Sequence, residues 1–221
     1  VATGWRVING KWYYLNPADG RMLTGFYKDA TGQLFYSDGS GAMLSTTGWY
    51  LLNGTWYWVN GNGSLATGWI NVGGTWYYMG ENGAMKTGWY QVKGVWYYSN
   101  GSGAMVTGWL NRGGTWYYLT GSGAMATGWI NLGGTWYYLN PGNGDMVGAG
   151  WHLINNKWYY FGGSGAMYSN RWIGNYYVGG NGEMLTNTWV GSYWVGADGK
   201  WIPNYDPDAV SYTHLRAHET C

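Results

Sequence analysis

From residue 67 onward, short runs of aromatic and β-branched residues alternate with pairs of glycine. Trp69-Ile70-Asn71-Val72 is followed by Gly73-Gly74, and then by Thr75-Trp76-Tyr77-Tyr78. Such a pattern predicts a β-hairpin, because Gly-Gly supplies the positive φ angles that a two-residue hairpin turn requires. Counting outward from the turn sets Val72 opposite Thr75, Asn71 opposite Trp76, Ile70 opposite Tyr77 and Trp69 opposite Tyr78. Side chains alternate along a strand. One face therefore carries Trp69, Asn71, Trp76 and Tyr78, and the other carries Ile70, Val72, Thr75 and Tyr77. The same split recurs at Trp109, Asn111, Trp116 and Tyr118, and at Trp129, Asn131, Trp136 and Tyr138. Arg112 takes the place of Val72 in one copy, so that edge is expected to reach water.

The pattern is a tandem repeat. Gly-Trp recurs at Trp49, Trp69, Trp89, Trp109 and Trp129, a step of 20 residues. Each is followed by a second aromatic cluster that begins at Trp56, Trp76, Trp96, Trp116 and Trp136. A Gly-x-Met segment supplies Met85, Met105 and Met125, with Leu65 standing once in the methionine place. The flanks are looser copies: Trp5, Trp12 and Met22; Phe26, Phe35 and Met43; Trp151, Trp158 and Met167; then shortened units at Trp172 with Tyr176, and at Trp189 with Tyr193 and Trp194. About ten units of ~20 residues fill residues 1–202, the most regular lying in 47–151. One two-stranded hairpin is not stable alone in water. Stacked neighbours must bury its faces, so the expected fold is all-β, a solenoid of stacked β-hairpins.

Composition narrows the function. Trp occurs 19 times and Tyr 23 times, against 3 Phe, while charged residues make up 10% and the net charge is +1. Bulk charge gives no reason to expect nucleic acid as a partner, and the aromatic content argues against disorder. No apolar run approaches the ~20 residues of a membrane span. The single cysteine, Cys221, allows neither a disulfide framework nor a cysteine-based metal site within one chain. Between Trp49 and Asn140 the only acidic residue is Glu81, so a paired-carboxylate hydrolase cannot be assembled there. His152 stands alone, and Asp198, Asp206 and Asp208 are too scattered for a calcium site. The chain is therefore expected to bind rather than catalyse, with no cofactor and no metal. It opens inside a repeat, at Val1-Ala2-Thr3-Gly4-Trp5, and reads as a fragment whose N-terminal part, with any export signal or catalytic domain, is missing. Residues 203–221 depart from the repeat. Two of the three histidines and Cys221 lie in 210–221, and this tail is expected to be disordered or artefactual.

A seam lined by two indoles, another aromatic and Met suits a quaternary ammonium ion, which makes no conventional hydrogen bond and is held by π faces. A flat indole could equally stack on a sugar ring, and composition alone does not separate the two. The segment TGWINVGGTWYYMGENGAMKTGW, residues 67–89, resembles the choline-binding repeat, also called the cell-wall-binding repeat, of Gram-positive bacteria and their phages. The resemblance covers roughly residues 1–202. It implies a left-handed superhelix of hairpins, with choline groups of teichoic acids bound between consecutive hairpins. It also implies an extracellular, wall-attached module that anchors an autolysin, lysin or adhesin such as a peptidoglycan hydrolase.

Carried onto this chain, each site would take the two indoles of one repeat and the Gly-Trp indole of the next. The sets are Trp49, Trp56 and Trp69; Trp69, Trp76 and Trp89 with Met85; Trp89, Trp96 and Trp109; Trp109, Trp116 and Trp129; and Trp129, Trp136 and Trp151. Met105 and Met125 would close further seams, and the second Tyr of each cluster would close the side with the methionine. The first Tyr of each cluster, such as Tyr77, is assigned to packing. The unit with Phe26 and Phe35 in the indole places leaves its two seams outside this set. The units after Trp172 are expected to close the solenoid. The alternative is a glucan-binding repeat resembling those of glucansucrases and large clostridial toxins, although their units favour Tyr-Tyr-Phe over indoles. A third possibility is a purely structural stalk. The oligomeric state is not written in the pattern.

Overall fold

A computed structural model describes residues 1–207; the expectations placed on 208–221, Asp208 and Cys221 included, lie outside the described residues. The strands follow one another as β1 (Gly4–Ile8), β2 (Lys11–Leu15), β3 (Gly25–Lys28), β4 (Leu34–Ser37), β5 (Gly48–Leu52), β6 (Thr55–Val59), β7 (Gly68–Val72), β8 (Thr75–Met79), β9 (Gly88–Val92) and β10 (Val95–Ser99). They continue as β11 (Gly108–Arg112), β12 (Thr115–Leu119), β13 (Gly128–Leu132), β14 (Thr135–Leu139), β15 (Gly150–Ile154) and β16 (Lys157–Phe161). The last are β17 (Arg171–Ile173), β18 (Tyr176–Val178), β19 (Thr188–Val190), β20 (Tyr193–Val195) and β21 (Trp201–Ile202). The fold is all-β, and the strands pair in sequence order as antiparallel hairpins, with β21 added to the β19–β20 pair. Two compact units are distinguished, Val1–Leu110 with Leu119–Met125, and Asn111–Tyr118 with the chain from Ala126 on.

The hairpin register is the one counted from the turns. In β7–β8, Val72 faces Thr75, Asn71 faces Trp76, Ile70 faces Tyr77 and Trp69 faces Tyr78. Gly73 and Gly74 have φ of 59° and 85°, the two successive positive values of a type I′ turn. The Asn71 carboxamide accepts the Gly74 N–H at 3.1 Å and so fixes the turn from the side. Asn111 and Asn131 do the same for Gly114 and Gly134.

After each hairpin the chain returns through a glycine-containing loop, and the Gly-x-Met segment bridges back to the end of the second strand. Met85 bridges Met79, Met105 bridges Ser99 and Met125 bridges Leu119. The N–H of the same residue reaches the preceding hairpin: Met85 to the Trp56 carbonyl at 2.9 Å, Met105 to Trp76 at 2.8 Å, Met125 to Trp96 at 2.8 Å. This backbone bond ties neighbours together without depending on side-chain identity.

The core is a series of small clusters. One joins Tyr14, Tyr27 and Phe35, and another Tyr57, Val59 and Leu65. In the second unit, Val147, Ile154, Tyr159 and Phe161 form a third. The last residue of the second strand is fully enclosed, as at Val59, Met79, Leu139 and Phe161. Ser37 and Ser99 take this position in two hairpins and are equally enclosed. There Tyr27 and Tyr90 replace the aliphatic residue found at Ile70 and Ile130. Their rings fill the space, and their hydroxyls bond Ser37 Oγ and Ser99 Oγ at 2.9 Å. Burial pushes both phenols above the usual tyrosine range, even though the serine hydrogen bonds act the other way.

Candidate functional site

Within each unit the Trp-Trp-Tyr face of one hairpin meets the opposite face of the next, and the meeting leaves an open cleft. In the first unit a cleft of ≈ 280 Å³ is lined by Trp49, Trp56, Tyr77, Met85 and Ser102. The two indoles come from β5 and β6, and the tyrosine from β8. The Met85 side chain follows β8, and Ser102 stands on the loop after β10. Three successive repeats thus build one cleft. The second unit repeats the plan with Trp129, Trp136, Tyr159, Met167, Gly180 and Asn181 around ≈ 320 Å³. It repeats again with Trp151, Trp158, Tyr176, Met184 and Asp198 around ≈ 270 Å³.

The two indoles of a cleft stand nearly at right angles. Trp49 and Trp56 are 6.5 Å apart at 89°, Trp69 and Trp76 6.5 Å at 84°, Trp89 and Trp96 6.3 Å at 87°, and Trp129 and Trp136 6.3 Å at 82°. The tyrosine of the next hairpin closes against the first indole: Tyr77 lies 4.9 Å from Trp49, Tyr97 4.9 Å from Trp69 and Tyr159 4.8 Å from Trp129. The first indole is also propped from its own hairpin, by Trp58 at 5.2 Å from Trp49. The second indole is the open wall. Trp56 is 43% exposed and Trp136 43%, an unusual state for so large an apolar ring unless the surface has a partner.

Two parts of the sequence-based grouping are corrected. The third aromatic wall was expected to be the next Gly-Trp indole, Trp69 for Trp49 and Trp56, or Trp151 for Trp129 and Trp136. The first tyrosine of the next cluster stands there instead, Tyr77 or Tyr159, a residue type that had been assigned to packing. Hairpins stacked head to tail present front face to back face, and Tyr77 is on the back face while Trp69 is on the front. For the same reason Met85 belongs to the Trp49 and Trp56 cleft, and Met105 takes the corresponding place behind Trp76. Trp109 and Trp116 occupy the equivalent strand positions on β11 and β12, and the Trp116 carbonyl accepts the Met146 N–H at 2.8 Å.

The divergent unit was also misaligned. Phe26 takes the Gly-Trp place, but Phe35 pairs with Tyr27 and Leu34 with Lys28, so Leu34 holds the second-indole place and Phe35 the first-tyrosine place. The seam of Phe26, Leu34, Tyr57 and Leu65 is filled, with Leu65 3% and Tyr57 8% exposed. The seam before it is open: Trp5, Trp12, Phe35, Met43, Asp29, Gln33, Ser45, Gly61 and Asn62 surround ≈ 450 Å³.

The short C-terminal hairpins lend walls too, since Tyr176, Met184 and Asp198 complete the Trp151 and Trp158 cleft. Trp172 meets Tyr193 at 5.7 Å, and Tyr193 meets Trp201 at 5.8 Å. The Trp201 N–H bonds the Asn175 carbonyl at 2.8 Å, which puts Trp201 in the methionine place. Tyr205, placed by the sequence in the non-repeat tail, stacks on Trp194 at 4.5 Å.

Charge is sparse around the regular clefts. Lys157 and Glu183 form an ion pair at 2.7 Å beside the Trp129 cleft. Burial, and then the Glu183 charge, push the Tyr159 phenol up, so it faces the cleft as a neutral ring. His152 bonds the Gly148 carbonyl at 2.9 Å.

Comparison with known proteins agrees with this plan. A family model described as a choline-binding repeat matches residues 2–47, 86–128, 106–151 and 126–172. A second choline-binding repeat model matches 166–201, and a cell wall binding repeat model matches 47–65 and 67–85. No curated protein matches the chain at the sequence level. Among solved structures, the chain is similar to CbpJ from Streptococcus pneumoniae, with 32% identity over 91% of this chain and 94% of that one and a TM-score of 0.72. It is similar to choline binding protein F from Streptococcus pneumoniae in the presence of a peptidoglycan analogue, with 42% identity over 84% of this chain and 58% of that one and a TM-score of 0.61. The modular autolysin LytC of the same organism aligns at 26% identity over 90% of this chain and 46% of that one, with a TM-score of 0.63.

Proposed function

Because the chain belongs to the choline-binding repeat family, we propose that it is a non-catalytic wall-binding module whose clefts hold the trimethylammonium heads of choline-decorated teichoic acid. On this reading it works outside the cell, at a Gram-positive surface, and fixes whatever protein carries it to the wall. The observation that carries the reading is the right-angled pair of indoles closed by a tyrosine and a methionine, as in Trp49, Trp56, Tyr77 and Met85. Two perpendicular planes make a corner, which embraces a compact, roughly spherical cation from two sides. A pyranose ring would need one broad flat platform, and the second plane would obstruct it.

Magnitudes fit a weak single site. Three π faces at about 0.5–2 kcal/mol each give a few kcal/mol before the costs of association. Millimolar binding corresponds to about 4 kcal/mol, so one cleft belongs in that range. Several clefts on one chain then meet several choline groups on one polymer, and linkage of sites raises avidity through effective concentration.

Titration with choline chloride, followed by Trp emission, tests the reading together with elution from a tertiary-amine resin by free choline. The expected result is a saturating emission change at millimolar choline, and elution over the same range. Retention on dextran, with neither response to choline, would overturn it in favour of the glucan alternative.

A further inference from the structure

The cleft between the first two hairpins is walled by a carboxylate on a hairpin turn, Asp29, whereas the Trp49 and Trp129 clefts are lined by no carboxylate and the Trp151 cleft has Asp198 on a returning loop. We propose that the Trp5–Trp12 cleft is a site for protonated primary or secondary amines, with Asp29 accepting the ligand N–H. It is thus distinct in ligand class from the quaternary-ammonium clefts proposed above.

The wall of this cleft is Trp5, Trp12, Phe35 and Met43, the same aromatic and thioether set as elsewhere, with Asp29 and Asn62 beside it. Asp29 comes from the turn between β3 and β4, which is longer than the two-residue turn of the regular hairpins. That turn is held by one carboxylate oxygen. Asp29 Oδ1 accepts the Thr31 N–H at 2.9 Å, the Thr31 hydroxyl at 2.6 Å and the Gln33 N–H at 3.1 Å. Among the described residues its other oxygen, Oδ2, meets only the Trp5 indole N–H at 3.4 Å, beyond the usual range of a strong N–H···O contact. Oδ2 is therefore positioned by a rigid turn and has acceptor capacity to spare, since a carboxylate offers about four lone-pair sites.

The group is charged. Burial pushes the Asp29 carboxyl up, but the hydrogen bonds from Thr31, Gln33 and Trp5 outweigh it and hold the group below the usual carboxylate range. Among the described residues neither lysine nor arginine forms an ion pair with it. A quaternary ammonium has no N–H to offer Oδ2. A protonated primary or secondary amine does, and charge-assisted hydrogen bonds are roughly twice as strong as neutral ones. The surrounding rings still supply cation–π attraction to the same charge. The larger cleft, ≈ 450 Å³ against ≈ 280 Å³ at Trp49, leaves room for a substituent on the amine carbon.

The test follows the indole ¹⁵N–H signal of Trp5 in the full chain, assigned by its loss in Trp5→Phe. Ethylammonium chloride is titrated into the parent, Asp29→Asn and Asp38→Asn proteins. Asn at position 29 keeps an Oδ1 acceptor for the turn, and Asp38 is a nearby exposed carboxylate outside the cleft. The expected result is a saturating shift in the parent and in Asp38→Asn, with an affinity loss of roughly tenfold or more in Asp29→Asn. Equal affinity in the parent and Asp29→Asn, or no shift of the Trp5 signal with ethylammonium, would overturn the proposal. Choline titrated in parallel separates the two readings. A protein that binds ethylammonium here but no choline anywhere loses the wall-binding function and keeps this site, and the reverse result does the opposite.

Discussion

Gly103 illustrates how the loop of one repeat seats the cleft of another. Its φ is +82°, and a Cβ built on it would lie 2.2 Å from Met85 Sδ and 2.7 Å from Met85 Cε. Met85 is the thioether wall of the Trp49 and Trp56 cleft. Gly103→Ala therefore acts twice. Alanine in the left-handed region costs about 1–2 kcal/mol, and turning Met85 off its seat adds about 0.5–1.5 kcal/mol of rotamer strain. Reduced freedom of the unfolded chain returns about 0.4–1 kcal/mol. The net expectation is a destabilisation of about 0.5–3 kcal/mol, with weaker ligand binding at that one cleft. Gly101, two residues away, has ordinary φ and open space at its Cβ, so Gly101→Ala is the internal control. Urea unfolding and choline titration are run on both variants. If Gly103→Ala matches Gly101→Ala in midpoint and in choline response, the loop does not hold the methionine in place and the reasoning fails.

Other consequences follow from the same packing. Ser99→Ala leaves the buried Tyr90 hydroxyl unpaired and should cost about 1–3 kcal/mol, whereas Tyr90→Ile with Ser99→Leu, the pair standing at Ile130 and Leu139, should restore most of the loss in denaturant midpoint. Lys93 sits at φ 50° in its turn, and Asn tolerates that region better than Lys, so Lys93→Asn should raise unfolding stability by about 0.5 kcal/mol, read as a higher denaturant midpoint. The Asp38 carboxyl is held below the usual range by the Ser40 hydroxyl, against the opposing effect of desolvation, with the backbone N–H groups of Ser40 and Ala42 adding to the lowering. Asp29 is lowered as well. Their folded-state values lie below their unfolded ones, so the stability they add is present above about pH 4 and is lost as pH falls through the folded values. Stability–pH curves of Asp38→Asn and the parent should then converge at low pH, and parallel curves would contradict the assignment.

Much of this was legible in the sequence because the information is local. The turn pairs Gly73-Gly74 and Gly133-Gly134 set the register, and alternation from that register set the two faces. The partner of each face was less accessible. Which residue of the next hairpin comes opposite Trp49 depends on how one hairpin stacks on another, and a 20-residue period is compatible with either Trp69 or Tyr77. One signal was available. An aromatic stands eight residues before the methionine-place residue at Tyr77, Tyr97, Tyr159 and Tyr176, and also at Phe35, Tyr57 and Tyr193. Counting back from Met43 would have put Phe35 in the tyrosine place and Leu34 in the indole place. Asp29 was hidden for another reason: its turn departs from the two-residue pattern, so its side of the cleft had no template in the regular units.

The central claim is that perpendicular indoles and the tyrosine of the next hairpin form a cation corner. A crystal structure of the chain grown with choline tests it most directly. The account predicts the choline nitrogen within ~6 Å of the ring centroids of Trp49, Trp56 and Tyr77, with Met85 alongside. Choline absent from those clefts, or a saccharide lying flat on Trp56 in their place, would contradict it.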